Sequence, residues 1–220
     1  MKTIFFDFNG TILDDLELCF NILNNMLEAS GKERITLDRY KDIFTFPIIE
    51  YYRKAGMTFE TKSFEDYSHE FINAYQQASL ECPLHEGITD IFAKFRQLGY
   101  RLVCLSASQI DNLKEQLAHF KIDTYFDAIL GISNVYAKSK VDIGLKYMKE
   151  MNIDPRSAIM IGDTLHDYEV STKMGIACVL YDKGHQSRRV LETAGTRIVS
   201  SFEECYNYVV NEGGTNENYN

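Results

Sequence analysis

Two patterns of apolar residues divide the chain. Between residues 14 and 80 they recur at the spacing of one face of an α-helix, and no segment there has the pattern of a strand. From residue 82 onward, short apolar runs alternate with helical stretches. This alternation predicts an α/β fold with a Rossmann-like parallel sheet that has helices on both faces.

The predicted strands begin near the N-terminus and resume in the second half of the chain. The first is the apolar run that ends at Asp7. The others span 101–106, 128–132, 158–162, 177–181 and 196–199, with helices near 88–98, 109–120, 141–152, 165–174 and 186–194. Because the first strand belongs to the same sheet, the helical residues that follow it are predicted to be an insertion.

The insertion carries the start and stop signals of several helices. Gly31 ends one apolar periodicity, and Pro47 and Gly56 bracket a further helical segment. Ser63 and Asp66 have the spacing of a capping box. We therefore predict an α/β core over 1–14 and 81–210, an α-helical unit over 15–80, and a disordered polar tail over 211–220.

Composition and charge exclude two classes of function. The net charge of −9 argues against nucleic-acid binding, which needs a basic face. No apolar stretch approaches the length of a membrane span. The five cysteines are scattered without metal-binding spacing, which predicts a reducing compartment and a cytoplasmic location. Cys104 and Cys178 lie in apolar runs and are predicted to be buried thiols.

Asp7 is the first candidate for chemistry, because it ends a buried strand and Gly10 follows three residues later. In open α/β sheets, ligands bind at the carboxyl ends of the strands. A carboxylate held there can act as a nucleophile or as a ligand for a hard cation. The structural alternative is a strand followed by an Asn-Gly turn.

Polar residues follow the later strands in the same way. The residues in question are Ser106, Lys138, Lys140, Asp163 and Asp167. Each one taken singly is also typical of a turn, a helix cap or a solvated surface. Together with the first carboxylate, they form a plausible site for phosphoryl transfer, with a carboxylate nucleophile and Mg²⁺ bridging carboxylate and phosphate oxygens.

These motifs resemble those of one family. Asp7-Phe8-Asn9-Gly10-Thr11, then Ser106, Lys140 and Gly162-Asp163-Thr164-Leu165-His166-Asp167, resemble the haloacid dehalogenase superfamily, and the overall pattern resembles its phosphoglycolate-phosphatase-like branch. The resemblance covers residues 1 to about 210 and includes the insertion, which is similar to the mobile helical cap of that family. It implies Mg²⁺-dependent hydrolysis of a small phosphate monoester through an aspartyl-phosphate.

The resemblance also implies a role for each matching residue. Asp7 is the implied nucleophile. The residues implied to bind the phosphoryl group are Asp7, Ser106, Ala107 and Lys140. The residues implied to hold Mg²⁺ are Asp7, Asn9 through its main-chain carbonyl, Asp163, and Asp167 directly, through water or by orienting the lysine.

The chain departs from the family pattern at two places. Phosphatases of the family usually have Asp where this chain has Asn9, and an amide cannot transfer a proton to the leaving oxygen. We therefore expect Asn9→Asp to raise turnover of alkyl phosphates, unless a fourth carboxylate crowds the site. The motif lysine is either Lys138 or Lys140, and the direct entry into a helix favours Lys140.

The sequence leaves the substrate open. A small phosphorylated metabolite is expected as the partner, and the chain is expected to be a monomer or a homodimer. Two other functions compete with a phosphatase: a phosphosugar mutase, or a catalytically weak phosphate-binding regulator. Phe46, Tyr51 and Arg53 are candidate substrate contacts in the insertion, where exposed or core positions are the structural alternative. His166 is expected in a loop or facing the substrate.

Overall fold

The strand that ends at Asp7 lies in the middle of a parallel sheet. The computed structural model describes residues 2–132 and 139–213. Its sheet has six strands in the order β3-β2-β1-β4-β5-β6. They are β1 Thr3–Phe6, β2 Arg101–Gln109, β3 Ala128–Ile132, β4 Ala158–Gly162, β5 Ala177–Tyr181 and β6 Arg197–Val199. The predicted α/β fold with a Rossmann-like sheet is confirmed, and the strand order reverses beside β1.

Helices cover both faces of the sheet. Alternate side chains of β1 enter two separate cores, since Phe6 packs with Phe92 on one face and Phe5 packs with Met160 on the other. The core helices are α5 Ile88–Gln97, α6 Ile110–His119, α7 Lys140–Glu150, α8 Leu165–Met174, α9 Arg188–Leu191 and α10 Phe202–Asn207. This two-sided burial explains the continuous apolar runs of the strands.

Four helices between β1 and α5 form a third apolar core, which we call the cap. They are α1 Leu16–Ala29, α2 Leu37–Ile43, α3 Ile48–Ala55 and α4 Phe64–Ala78. As predicted, α3 begins after Pro47 and ends at Gly56, which has a left-handed φ of 102°. The predicted capping box of Ser63 and Asp66 is present at the start of α4.

Two predicted boundaries were wrong. β2 continues beyond Ser106 to Gln109, with an irregular register between Leu105 and Gln109, so Ser106 lies inside the strand. The disordered tail was predicted from residue 211, but a helical turn continues over Tyr208–Gly213 because Val209 is buried against the core. Residues 214–220 lie outside the described residues, and their disorder stays a prediction.

The structure also bears on the cysteines and on membrane insertion. All five cysteines are free thiols, and Cys104 and Cys178 are buried as predicted. Within residues 2–132 and 139–213, no helix combines the length and the apolarity that a bilayer crossing requires.

Candidate active site

Asp7 stands at the point where β1 leaves the sheet. Its backbone N–H still donates to the carbonyl of Ile161 at 2.9 Å, which continues the pairing with β4 by one residue. Its side chain is 14% exposed and lies 2.8 Å from the ammonium of Lys140. The carboxylate therefore faces the edge of the sheet, as the sequence predicts for a reactive group.

Lys140 is the first residue of α7, and its ammonium joins two carboxylates. Its Nζ lies 2.8 Å from Asp7 and 2.6 Å from Asp167, with only 2% of the lysine side chain exposed. Burial lowers the pKa of Lys140, but the two carboxylates more than offset this and raise it above its usual value. The structure thus brings Lys140 to Asp7, whereas Lys138 lies outside the described residues.

The two aspartates after β4 have different surroundings. Asp163 accepts hydrogen bonds from the Thr11 hydroxyl at 2.9 Å and from the His185 N–H at 2.7 Å. Asp167 accepts from Lys140, and from the Thr164 N–H at 3.1 Å and hydroxyl at 2.7 Å in a capping box at the start of α8. Of the alternatives left open for Asp167, the geometry favours orientation of the lysine.

Three carboxylates crowd together at this edge. Oxygens of Asp7, Asp163 and Asp167 all lie within 4.8 Å of one another. Burial raises the pKa of Asp7 to about 7 and that of Asp163 to about 6, and the neighbouring carboxylate of Asp167 adds to both shifts. Hard oxygen donors with unbalanced negative charge fit Mg²⁺. The residues therefore match the implied metal in donor type and in charge.

Two glycines allow the backbone to close around Asp163. Gly10 has φ +70°, and a Cβ there would overlap with the Asp163 carboxylate. A Cβ at Gly184 would overlap with the same side chain. Larger residues at either position would displace the carboxylate, so these glycines are required by close approach.

Asn9 is held at both ends of its amide. Its Nδ2 donates to Asp15 at 3.0 Å and to the Tyr75 hydroxyl at 2.6 Å. Its Oδ1 accepts from the Ser108 hydroxyl at 2.9 Å. A carboxylate at position 9 would keep the bond to Ser108 but would face Asp15 without a proton between them. The amide therefore fits this position because of its neighbours.

Asp15 is the functional neighbour that sequence reasoning missed. It is fully buried and accepts from the Gly10 N–H at 2.8 Å, the Tyr75 hydroxyl at 2.6 Å and His185 Nε2 at 3.1 Å. Burial raises the pKa of Asp15, but His185 and the hydrogen bonds lower it below its usual value. The carboxylate is therefore ionised, and its pairing with Asn9 explains why the usual acid is an amide here.

Ser106 and Ala107 lie on β2 beside this network. The Ser106 hydroxyl is nearly inaccessible and accepts from the Ser108 N–H at 3.1 Å, whereas Ala107 is exposed. Both residues line the same cavity as Asp7 and Lys140. The structure thus brings all the predicted phosphate-binding residues to one place.

The cavity has a volume of about 430 Å³ and lies between the cap and the core. Cap residues close over it by ring stacking, with Phe46 on His166 at 4.4 Å and Phe44 on His185 at 4.8 Å between centroids. His166 lines the cavity, as expected for a position that faces the substrate. Phe46 and Tyr51 also line the cavity, but the exposed Arg53 pairs with Glu50 and does not.

The family follows from a match over most of the chain. The profile of the haloacid dehalogenase-like hydrolases matches residues 4–181. This chain belongs to that family. The resemblance carried by Asp7, Ser106, Lys140 and Asp163 is thereby confirmed, and the protein is a hydrolase by membership.

Similar proteins carry names from phosphoryl-transfer chemistry. The pyrophosphatase PpaX of Listeria welshimeri is 23% identical over 173 residues, which cover 77% of each chain. The tyrosine-protein kinase PtkA of Mycobacterium tuberculosis is 24% identical over 205 residues, 90% of this chain and 68% of that protein. The crystal structure of a predicted phosphatase from Clostridium acetobutylicum has a TM-score of 0.78 at 24% identity, covering 95% and 98% of the two chains. That structural likeness shows the fold.

We predict that the metal-free protein loses stability as pH rises from about 4 to about 7, partly through Asp7. The folded pKa of this group is about 7, above the unfolded value of 3.8, so the folded state binds the extra proton. The contribution of the protonated Asp7 carboxyl to the free energy of unfolding is present at low pH and is lost at high pH. In urea unfolding with EDTA, the stability of Asp7→Asn relative to wild type should rise between pH 5 and pH 8 by on the order of 2 kcal/mol. Equal differences at both pH values, or none beyond that of the exposed control Asp90→Asn, would contradict this.

We also predict that Asn9 and Asp15 are coupled. Asn9→Asp should destabilise the protein by about 2–4 kcal/mol, because it places two buried carboxylates in contact. Exchange of the two groups in Asn9→Asp/Asp15→Asn should recover much of this loss, since one amide again faces one carboxylate. Urea unfolding of both single variants and the double variant gives the coupling energy. Additive effects of the two changes would show that the residues are independent.

Proposed function

We propose that the protein is a Mg²⁺-dependent phosphatase that hydrolyses a small phosphate monoester through a phosphorylated Asp7. The observation that carries this proposal is the buried ammonium of Lys140 between Asp7 and Asp167. It places a carboxylate, a fixed cation and an accessible cavity at the carboxyl end of the central strand. Family membership and the names of the similar proteins support phosphoryl transfer.

In this mechanism Asp7 acts first as a nucleophile. A carboxylate oxygen attacks phosphorus, the bond to the ester oxygen breaks, and the alcohol departs with that electron pair. Water then attacks the phosphorus of the aspartyl-phosphate, which releases phosphate and restores Asp7. Lys140 balances the charge on the phosphoryl oxygens, while Ser106 and the main chain at Ala107 bind them.

The metal would add to the charge balance of the same site. When bound, Mg²⁺ would neutralise charge on the transferring group, held by Asp7, Asp163 and the main-chain carbonyl of Asn9. Asp167 supports this arrangement by holding Lys140, with which it forms a 2.6 Å ion pair. Thr11 and the N–H of His185 hold Asp163 in place.

Protonation of the leaving oxygen distinguishes this protein from the usual family pattern. Asn9 cannot give that oxygen a proton, and both of its amide hydrogens are already donated, to Asp15 and to the Tyr75 hydroxyl. Asp15 is buried, ionised and saturated by donors, so it does not substitute as an acid. We therefore expect the protein to favour leaving groups that depart without protonation. A mutase, which must pass a proton between hydroxyls, is disfavoured for the same reason.

We predict that Asp7→Asn reduces phosphatase turnover to below a few per cent of wild type while the protein stays folded. The change removes the attacking oxygen and one charged ligand of the metal. EDTA should abolish the wild-type activity, and added Mg²⁺ should restore it. Release of phosphate from a panel of esters measures both effects. Turnover by Asp7→Asn above a few per cent of wild type, or full wild-type activity in EDTA with metal content checked, would overturn the mechanism. If the wild type hydrolysed no ester at all, the alternative of a phosphate-binding regulator would be favoured.

A second prediction concerns the variant Asn9→Asp/Asp15→Asn, in which the amide and the carboxylate exchange places. Asn9→Asp alone should not raise turnover, because the new carboxylate faces Asp15. Asn9→Asp/Asp15→Asn should raise turnover of an alkyl phosphate by up to about 10²-fold, the lower end of general acid catalysis, and change an aryl phosphate much less. Matched alkyl and aryl esters, assayed on wild type and all three variants, test this. A gain in the single Asn9→Asp variant would show that Asp15 does not set the identity of residue 9.

A further inference from the structure

The cap supplies a wall of rings to the cavity above Asp7. Aromatic residues of the cap line it, among them Phe44, Phe46, Tyr51, Phe64, Phe71 and Tyr75. Phe71 and Tyr75 of α4 present parallel rings, with centroids 5.8 Å apart and an angle of 14° between planes. The volume of about 430 Å³ lies within the range of roughly 300–1,000 Å³ typical of small-molecule sites. Flat apolar walls of this kind favour a ligand that can stack on them.

The described lining of the same cavity offers no spare positive charge. Among the described residues that line it, Lys140 is the only lysine or arginine, and two carboxylates already pair with it. Basic side chains of the cap pair elsewhere: Arg34 with Glu28, Arg53 with Glu50, and Lys62 with Glu70. A second negative charge on the substrate would therefore be buried without a partner, which is unfavourable.

Apart from the buried pair of Asp15 and His185, which bond to each other at 3.1 Å, the remaining polar lining is neutral. On the side of the core, Gln109, Asn112 and Gln116 line the cavity. Gln109 caps α6 and Gln116 donates to Ser79, and none of the three side chains carries a charge that would balance a carboxylate or a second phosphate. Pyrophosphate and phosphoglycolate both place additional charge on the leaving side, so they match this cavity poorly.

The position of Asn9 adds an independent argument. Its amide lies where the departing oxygen needs a proton in the usual family pattern, and its Nδ2 contacts the Tyr75 hydroxyl at 2.6 Å. The aromatic wall thus begins beside the leaving-group position. A phenol-type oxygen delocalises its charge into the ring and departs without a proton donor. The missing acid and the aromatic wall therefore favour the same kind of leaving group.

We propose that the substrate is a phosphate monoester of a phenol that carries no further charge. This inference rests on the proposed function and specifies its substrate class. An oxygen of Asp7 forms the new bond to phosphorus, the bond between phosphorus and the aryl oxygen breaks, and the aryl oxide leaves with the electron pair. Water then releases phosphate from Asp7, and the aryl oxide takes its proton from solvent.

Steady-state kinetics on matched esters test the proposal. Phenyl and 1-naphthyl phosphate should exceed 4-carboxyphenyl phosphate and phosphoglycolate in kcat/KM by at least about tenfold, the effect of one uncompensated charge costing about 1.4 kcal/mol or more. The comparison of phenyl with 4-carboxyphenyl phosphate isolates charge, since both have an aryl leaving group. Equal values for these two esters, or a preference for phosphoglycolate, would overturn the proposal.

Acetyl phosphate separates this proposal from the proposed function. It is a small, reactive phosphate that needs Asp7 and Lys140 but little of the cavity. Turnover of acetyl phosphate together with a preference for the charged esters would overturn the substrate class and leave the phosphatase intact. A protein that hydrolyses neither acetyl phosphate nor any aryl ester would overturn both.

Cap variants locate the effect in the cavity. Phe71→Leu should lower kcat/KM for 1-naphthyl phosphate several-fold, and by a larger factor than it lowers kcat/KM for acetyl phosphate. Ile72→Lys adds an ammonium to the lining and should raise the ratio of kcat/KM for 4-carboxyphenyl phosphate to that for phenyl phosphate by up to about fivefold, the upper end for an exposed ion pair. Leu37→Lys adds the same charge on the cap surface, outside the lining of the cavity, and should not change the ratio of kcat/KM for 4-carboxyphenyl phosphate to that for phenyl phosphate. An identical shift in Ile72→Lys and Leu37→Lys would contradict the role of the cavity.

Discussion

The ion cluster of Asp7, Lys140 and Asp167 is the constraint on which the rest of the site depends. Three carboxylates share a buried volume within 4.8 Å, and one ammonium offsets part of their repulsion. The parallel sheet makes this possible because β1 and β4 end side by side and α7 begins opposite them. The remaining negative charge suits the site to the hard dication of the proposed mechanism, which would in turn bind a phosphate.

A second buried network links this centre to the cap. Asp15 bonds to Asn9 and Gly10 from the core loop, to Tyr75 from α4, and to His185. His185 in turn contacts the hydroxyl of Tyr40 at 2.9 Å. The identity of residue 9 is therefore determined by the way in which the cap closes, and the same contact places rings beside the leaving group. The proposed chemistry and the proposed substrate class therefore both depend on this one set of hydrogen bonds.

Local sequence signals predict the strands and the residues at their ends well, because both depend on near neighbours. Asp7 and Asp163 could be placed at strand ends from strand patterns alone, and the structure brings them to one site with Ser106 and Lys140. The hydrogen-bond partners of Asn9 could not be predicted in this way, because Tyr75 lies 66 residues away and Ser108 lies 99 residues away in the sequence. Asp15 carried no signal in its own spacing. The extension of β2 past Ser106 depends on pairing with β3, which periodicity does not reveal.

The central claim is that Asp7 carries the phosphoryl group during turnover. Mixing the protein with excess aryl phosphate and Mg²⁺, quenching with acid within milliseconds, and mapping the modified peptide by mass spectrometry tests it most directly. The account predicts one phosphoryl group on Asp7 that forms before phosphate release and decays on addition of a chase of unlabelled ester. Turnover with no phosphorylated protein at any quench time, or with the group on a different side chain, would contradict it.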